Sequence, residues 1–344
     1  MDCRTRKTAL PGIAALLAMA VTAACAPTAL QRSHDADSDT DIIWPESPQR
    51  PRIRYIFTLS EPQDIGIRPG FLSRFVQFFA GREVQGMVRP YAVVADESLI
   101  AVADPGLQAV HLYFTNASRY EVIRDVDGDP LRSPVGITFA DDSIFVSDSV
   151  TGKVHVLDRD GEHRHTISNL SRPTGITFHP ESQRLFVTDT AENRVVVFDK
   201  QGSRLFSFGN RGRGPGEFNY PTTLTAVGQK IFVNDTMNFR VQEFTLDGLP
   251  ISGFGEIGDG SGQFALSKGI GADSQGHLYV SDGLSNHVQI FDPAGRFLLA
   301  FGGMGVQAGQ FRLPAGVFVF ADTIYVADSQ NRRVQVFEYI DGET

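Results

Sequence analysis

The sequence predicts an all-β fold made of six copies of one four-stranded unit. One motif, seen as VNDTMNFRVQEF from Val233 to Phe244, recurs along the chain. Each copy holds four short runs rich in β-branched and aromatic residues, separated by turn residues. Four strands in about 45 residues are typical of one propeller blade, so the repeat predicts a six-bladed β-propeller. Its first Asp returns at intervals of 44, 41, 46, 47 and 46 residues, at Asp104, Asp148, Asp189, Asp235, Asp282 and Asp328.

The four runs of each copy follow a fixed order. A P-x-G segment opens the first run, as in RPTGITF, and the second run ends in V-x-D, as in KIFVND. The D-x-x-N-x-R-V link leads to the third run, and a Gly-containing turn precedes a fourth run such as FLLAFG. The runs are apolar throughout, as expected of strands that pack against a neighbouring blade on both faces.

The two chain ends together supply one complete blade. The sixth copy ends in VQVFEYIDGET and lacks a fourth run, whereas PRIRYIFTLS, from Pro51 to Ser60, resembles the missing run. We expect this N-terminal strand to complete blade six, because closing the ring removes an exposed strand edge.

The repeated Asp and the Arg five residues after it are interpreted as scaffold. We expect the Asp to end the second strand and accept hydrogen bonds from the turn, while the Arg lies across the hairpin and pairs with it. The same polar set in several blades argues against a single catalytic site. The Arg is present in three copies, as Arg194, Arg240 and Arg333.

Two motifs resemble those of the NHL-repeat family. They are D-T-x-N-x-R-V-x-x-F and a preceding G-x-G-x-G-x-F-x-x-P, which appears as GRGPGEFNYP from Gly212 to Pro221. The resemblance covers residues 53–339 and implies a six-bladed propeller. The order of WPESPQRPRIRY, an aromatic segment, AGRE and the repeats is similar to that of a group of bacterial propeller lipoproteins, which implies a location more than a function.

The first 24 residues are typical of an export signal. Three basic residues precede the apolar run ALPGIAALLAMAV, which is short for a membrane span. TAAC, ending at Cys25, resembles the lipobox at which bacterial lipoproteins are cleaved and lipidated; an ordinary signal-peptidase site is the alternative. We expect lipidation of Cys25, a flexible linker over residues 25–52 and a propeller over residues 53–344. The protein would then be exported and membrane-anchored, in the outer membrane if the host is Gram-negative.

Composition limits the kinds of partner. The net charge of −9 argues against nucleic acid, because a phosphate backbone requires a basic surface. Two cysteines cannot form a disulfide framework, and they lack zinc-site spacing. We expect a monomer that binds an envelope protein or polysaccharide and contacts the membrane through its lipid.

Two segments are candidates for partner binding. GFLSRFVQFFAG, from Gly70 to Gly81, carries Phe71, Phe75, Phe78 and Phe79 at helical spacing. It predicts a short amphipathic helix, either a lid over one end of the propeller or a docking face. Arg211 and Arg213 form a basic spot in a glycine-rich loop, where a solvated loop is the alternative.

The sequence contains weak signals for metal binding. Asp125, Asp127 and Asp129 alternate as in a calcium loop, but no bidentate Glu follows, so a turn is favoured. His111 and His155 occupy equivalent positions that hold Gln in other copies. We therefore expect no cofactor and a non-catalytic binding scaffold. The alternative is a hydrolase or lyase with calcium or zinc in the central channel.

Overall fold

A computed structural model describes residues 41–46, 49–50, 52–67 and 86–340. Six antiparallel sheets form the blades. In blades one to five the sheet order follows the chain order from the inner strand outward, whereas blade six takes its outer strands from the N-terminal end of the chain. Blade one contains β3–β6, at Ala92–Ala95, Leu99–Asp104, Ala109–Phe114 and Arg119–Ile123. Blade two contains β9–β12, at Pro134–Ala140, Ser143–Asp148, Lys153–Asp158 and His163–Ile167. Blade three contains β13–β16, at Pro173–His179, Arg184–Asp189, Arg194–Asp199 and Arg204–Phe208.

The second half of the ring repeats the pattern. Blade four contains β17–β20, at Pro221–Val227, Lys230–Asp235, Arg240–Thr245 and Pro250–Phe254. Blade five contains β21–β24, at Ser267–Ala272, Leu278–Asp282, His287–Phe291 and Phe297–Gly302. Blade six begins with β25–β27, at Pro314–Phe320, Thr323–Asp328 and Arg333–Tyr339. Between blades one and two lies the small hairpin of β7 (Asp125–Val126) and β8 (Asp129–Pro130). Short 3₁₀ turns occur at Pro62–Ile65, Thr190–Glu192, Thr236–Asn238 and Ser329–Asn331.

The ring is closed by the N-terminal strand, as the sequence predicts. β2 (Ile53–Leu59) pairs antiparallel with β27 and so forms the outer strand of blade six. Ile53 and Leu59 at its two ends are fully buried. The prediction of a closed six-bladed propeller is therefore confirmed.

A fifth strand joins blade six within the segment predicted to be a linker. β1 (Ile43–Trp44) pairs with β2, and the Trp44 ring lies 5.8 Å from those of both Phe301 and Phe337. The expectation of a flexible linker through residue 52 is therefore wrong at Ile43–Trp44. The reason is tertiary: the outer edge of β2 offers backbone partners, and the aromatic groove beside it accepts the indole.

Trp44→Ala tests whether this strand contributes to stability. Losing two aromatic contacts should lower the free energy of unfolding by about 1–2 kcal/mol. Urea unfolding followed by circular dichroism measures it. Ile257→Ala is the matched control, because that side chain is 68% exposed and should leave the midpoint unchanged. Equal stabilities for the wild type and Trp44→Ala would show that β1 is not held.

Aromatic triads fill the space between successive blades in the second half of the ring. Between blades three and four, Phe208, Phe218 and Phe244 have ring centroids 5.0 to 6.5 Å apart. The first belongs to an outer strand, the second to the glycine-rich loop and the third to the next blade. The same arrangement recurs between blades four and five (Phe254, Phe264, Phe291) and between blades five and six (Phe301, Phe311, Phe337).

The P-x-G segment is explained by close contact of the inner strands at the channel. A Cβ on Gly136 would lie 2.1 Å from the carbonyl oxygen of Thr174 in the next blade. A Cβ on Gly269 would lie 2.3 Å from that of Ala315. Hydroxyl groups also join the blades, since Thr190 Oγ1 donates to the carbonyl of Pro221 at 2.6 Å.

The structure does not test the other predictions about the N-terminal region. The aromatic helix predicted over residues 70–81 lies outside the described residues, as do the predicted signal peptide and Cys25. In the described part of the chain, no helix has the length and apolar character needed to cross a membrane.

Candidate functional site

The repeated Asp lies at the centre of a hydrogen-bonded unit in each blade. In blade four, Asp235 accepts hydrogen bonds from the backbone N–H of Asn219 (2.7 Å) and from Arg240 Nε (2.9 Å). Gln242 Nε2 donates to the same carboxylate at 3.1 Å. Asp328 of blade six has the same set of contacts, so these polar residues hold the blade together.

The same side chains hold the glycine-rich loop that precedes blade four. Arg240 Nη2 donates to the carbonyl oxygens of Gly214 (2.8 Å) and Glu217 (3.0 Å). Gln242 accepts from the N–H of Gly216 at 3.0 Å and donates to Glu217 O at 2.8 Å. The loop is thus structured by the repeat itself.

Arg211 and Arg213 are exposed on this loop. Arg211 forms an isolated backbone bridge with Phe218, and the N–H of Arg213 donates to the Glu217 carboxylate at 3.0 Å. The N–H groups of Gly214 and Arg213 lower the pKa of Glu217. The structure therefore places the predicted basic spot on an ordered loop, available to a partner.

One face of the ring carries all the loops that differ most between blades. Each first strand begins opposite the end of the second, as shown by the pairs Pro134 with Asp148 and Pro314 with Asp328. The blade-to-blade connections and the D-x-x-N turns therefore lie at the same end of every blade. We call this end the loop face.

The mouth of the central channel opens on the loop face. A cavity of about 210 Å³ lies there, lined by residues from blades one, two, five and six. Arg89 and Lys268 supply its charged groups and Tyr91 its aromatic ring, and Lys268 Nζ lies 5.3 Å from the centre of that ring. On blades three and four, Arg172 lies over the Tyr220 ring at 5.5 Å.

Among the residues that the structure describes, the charged side chains that line this mouth are all basic. Neither Arg89, Arg172 nor Lys268 has a carboxylate partner among the residues that the structure describes. Burial lowers the pKa of Lys268, and the nearby charge of Arg89 lowers it further. Burial raises the pKa of Tyr91, opposed by the charges of Arg172 and Arg89. On a protein of net charge −9, this cluster is a region of locally positive charge.

Exposed apolar side chains lie on the same face as the mouth. Val150, Met237 and Leu284 each stand two residues after the repeat Asp of their blade, and all three are exposed. Ile257 and Met304 occupy equivalent positions in the loops before blades five and six, and Met304 is 76% exposed. We call these five residues the apolar rim. Exposed apolar side chains that share one face of a protein are typical of an interaction surface.

The two histidines at the Gln position are used inside their blades. His111 Nδ1 lies 2.8 Å from the hydroxyl of Tyr120, and its Nε2 lies 3.4 Å from the buried Asp104. Burial by itself would raise the pKa of Asp104, but His111 and three backbone N–H groups hold it below its ordinary value. Burial lowers the pKa of His155.

The possible calcium loop forms the β7–β8 hairpin, with Asp127 and Gly128 at positive φ in its turn. Its carboxylates do not converge. Asp125 accepts from the N–H of Gly128 at 3.3 Å, Asp129 pairs with Lys153, and Asp127 is mostly exposed. Across residues 41–46, 49–50, 52–67 and 86–340, no three His, Cys, Asp or Glu side chains are grouped to hold a metal ion.

Comparison with known proteins agrees with this architecture. A family model described as a six-bladed β-propeller matches residues 168–257. The chain is a six-bladed β-propeller. No curated protein sequence matches it.

Solved structures resemble the propeller as a whole. A protein of unknown function from Bacteroides thetaiotaomicron has 14% identity and a TM-score of 0.58, over 74% of this chain and 70% of that one. An auxiliary nutrient binding protein from the same organism has the same values. A streptogramin B lyase has 12% identity and a TM-score of 0.57, over 75% of this chain and 96% of that one. At these identities the likeness shows the fold alone.

The residues of the mouth were not among the candidates drawn from the sequence. They flank the Pro that opens each copy: Arg89 and Arg172 precede it, Tyr91 follows it, and Lys268 is the equivalent of Tyr91 in blade five. Aligning the six copies would have brought these positions together. The single motif does not show that the positions beside its Pro face a shared channel.

Proposed function

We propose that this protein is a non-catalytic binding propeller, built from NHL-type repeats, that holds a partner on its loop face. The observation that carries the proposal is the set of three basic side chains at the channel mouth, which have no carboxylate partner within the described part of the chain and lie on the same face as the apolar rim. A rigid ring that presents variable loops suits binding. The similar solved structures include one described as a nutrient binding protein and one described as a lyase, and they share only the fold with this chain.

The chemistry of the mouth favours an acidic group on the partner. A carboxylate placed between Arg89 and Lys268 would offset the repulsion between their charges and oppose the lowering of the Lys268 pKa by burial. The aromatic faces of Tyr91 and Tyr220 exclude water from one side of such a group. An envelope protein fits better than a polysaccharide, because the apolar rim would bury little against a sugar chain.

Charge reversal at the mouth tests the proposal. Lys268→Glu combined with Arg89→Glu should weaken partner capture at least about tenfold, because truncated or reversed charges in buried ion pairs raise dissociation rates. The mature protein would be crosslinked in its own envelope, and captured proteins quantified by mass spectrometry. Arg296→Glu is the control for charge reversal away from the mouth, since this 82% exposed side chain lies in a turn at the opposite end of blade five.

The outcomes separate the candidate surfaces. Equal capture by the wild type and the double variant would overturn the proposed site. Loss only with Phe75→Asp/Phe78→Asp would move binding to the predicted aromatic helix. A stoichiometric, tightly bound calcium or zinc ion in the purified protein would instead support the alternative of a metal-dependent hydrolase or lyase.

We also propose that the propeller is tethered to a membrane by lipid on Cys25. The support is the lipobox-like TAAC after an export signal. Cys25→Ala should move the protein from the membrane fraction to the soluble fraction, because a diacyl anchor is then never attached. Fractionation with a salt wash and immunoblotting measures this, with the other cysteine variant, Cys3→Ala, as control. A Cys25→Ala protein that stays with washed membranes would contradict the anchor.

A further inference from the structure

A groove larger than the cavity at the channel mouth lies between blades two and three. It measures about 490 Å³ and lies between the outer strand of blade two and the third strand of blade three. Its lining includes His165, Ile167, Ser168, Arg194 and Val196. This groove is separate from the channel mouth, and the proposed partner site does not use it.

Smaller side chains leave this groove open. Each position of the aromatic triad has an equivalent in this groove. The residues there are Ile167, Leu170 and Phe198, in place of Phe208, Phe218 and Phe244 between blades three and four. Two aromatic rings are thus replaced by aliphatic side chains, which fill less of the space between the blades.

A shorter connection also leaves the groove open. Nine residues, 209–217, separate Phe208 from Phe218, whereas only Ser168 and Asn169 separate Ile167 from Leu170. Blade three therefore has no counterpart of the glycine-rich loop. Val196 occupies the position equivalent to Gln242, whose side-chain amide holds the glycine-rich loop before blade four. The third strand of blade three therefore lacks an amide that could hold such a loop.

The groove nevertheless keeps the arginine that holds a loop elsewhere. Arg240 bonds its Asp through Nε and leaves Nη2 to donate to two loop carbonyls. Arg194 instead uses Nη2 to reach Asp189 at 3.1 Å. Its buried Nε has no hydrogen-bond partner among the described residues, and neither does His165 Nε2 on the opposite wall.

We propose that the groove between blades two and three is a peptide-binding site. Its ligand is an extended, glycine-containing segment of a partner protein that carries one aromatic or large apolar side chain. The segment lies where the glycine-rich loop lies in blades four to six. Arg194 rotates to bond Asp189 through Nε and donates from Nη2 to the carbonyls of the ligand. The apolar side chain packs on Ile167, Leu170 and Phe198 in place of the missing ring.

The chain itself provides the probe. A fluorescently labelled synthetic peptide, GNRGRGPGEFNY, copies residues 209–220, and fluorescence anisotropy measures its binding to the full protein. We expect saturable binding that is weakened at least about tenfold when the peptide's Phe is replaced by Ser. Ser168→Trp should weaken binding as much, because it places a large side chain at the groove's exposed edge.

Control variants separate this site from the rest of the surface. Ser274→Trp, an exposed position in blade five, and Lys268→Glu at the channel mouth should both bind the peptide as the wild type does. Arg194→Lys keeps an ion pair with Asp189 but removes the planar fork, so it should also weaken binding and serves if Ser168→Trp does not fold. The proposal is overturned by absence of saturable binding, by equal binding to Ser168→Trp and Arg194→Lys, or by loss with Lys268→Glu.

Discussion

Asp328→Ala is expected to lower the free energy of unfolding by about 3–5 kcal/mol, the cost of removing one partner of a buried ion pair. Asp328 is fully buried and accepts hydrogen bonds from the N–H of Arg312 and from Arg333 Nε, both at 2.8 Å. Asn331 and Gln335 donate to the same carboxylate. The variant would leave the Arg333 guanidinium, whose side chain is 11% exposed, without its counter-charge.

Urea unfolding followed by the fluorescence of Trp44, the single tryptophan, measures this loss. Asp259→Ala is the matched control, because Asp259 is exposed in the loop before blade five. Its unfolding midpoint should equal that of the wild type. A loss below about 1 kcal/mol for Asp328→Ala, the scale of an ordinary surface pair, would contradict a scaffold role for the repeat carboxylate.

Removing the chain through Ser60 is expected to open the ring. This truncation deletes β2, which pairs with β27 from Ile53 opposite Tyr339 to Leu59 opposite Val334. Burial of Ile53 and Leu59 alone contributes roughly 3–6 kcal/mol. The backbone edge of β27 would become free to pair with another chain, so the protein should aggregate or form oligomers.

Size-exclusion chromatography with light scattering distinguishes these states. A chain that begins at Asp41 keeps both β1 and β2 and is the matched control, for which we expect a monomer. The closure interpretation fails if the shorter chain is also monomeric and unfolds at the same temperature.

The fold could be predicted because each copy carries its own polar signature. The Asp and Arg of D-x-x-N-x-R contact each other within one blade, at 2.9 Å between Asp235 and Arg240 and 2.8 Å between Asp328 and Arg333. Because the two contacting residues are only five positions apart, their spacing can be recognised in the sequence. The fourth run that is missing from the sixth copy, together with the additional run near the N-terminus, indicates that the ring closes. Ile43–Trp44 could not be predicted as a strand, because two apolar residues in a polar run have no pairing edge of their own.

The binding surfaces depend on residues that are distant in sequence. Arg89 and Lys268 come from blades one and five, and they meet only because the ring brings the first strands of all blades to one channel. The sequence indicates the groove between blades two and three through the short connection at Ser168 and Asn169. Whether the neighbouring side chains fill the gap left by a short connection depends on how their volumes fit together in the folded ring.

The sequence by itself determined the number of blades, their strand order and the closing strand, since these follow from local repetition of hydrogen-bonding and apolar positions. Only the tertiary structure decided which charges share the channel mouth, which apolar groups form the rim and which inter-blade groove stays open. Each of those properties depends on side chains from several blades, so no single copy of the repeat shows it.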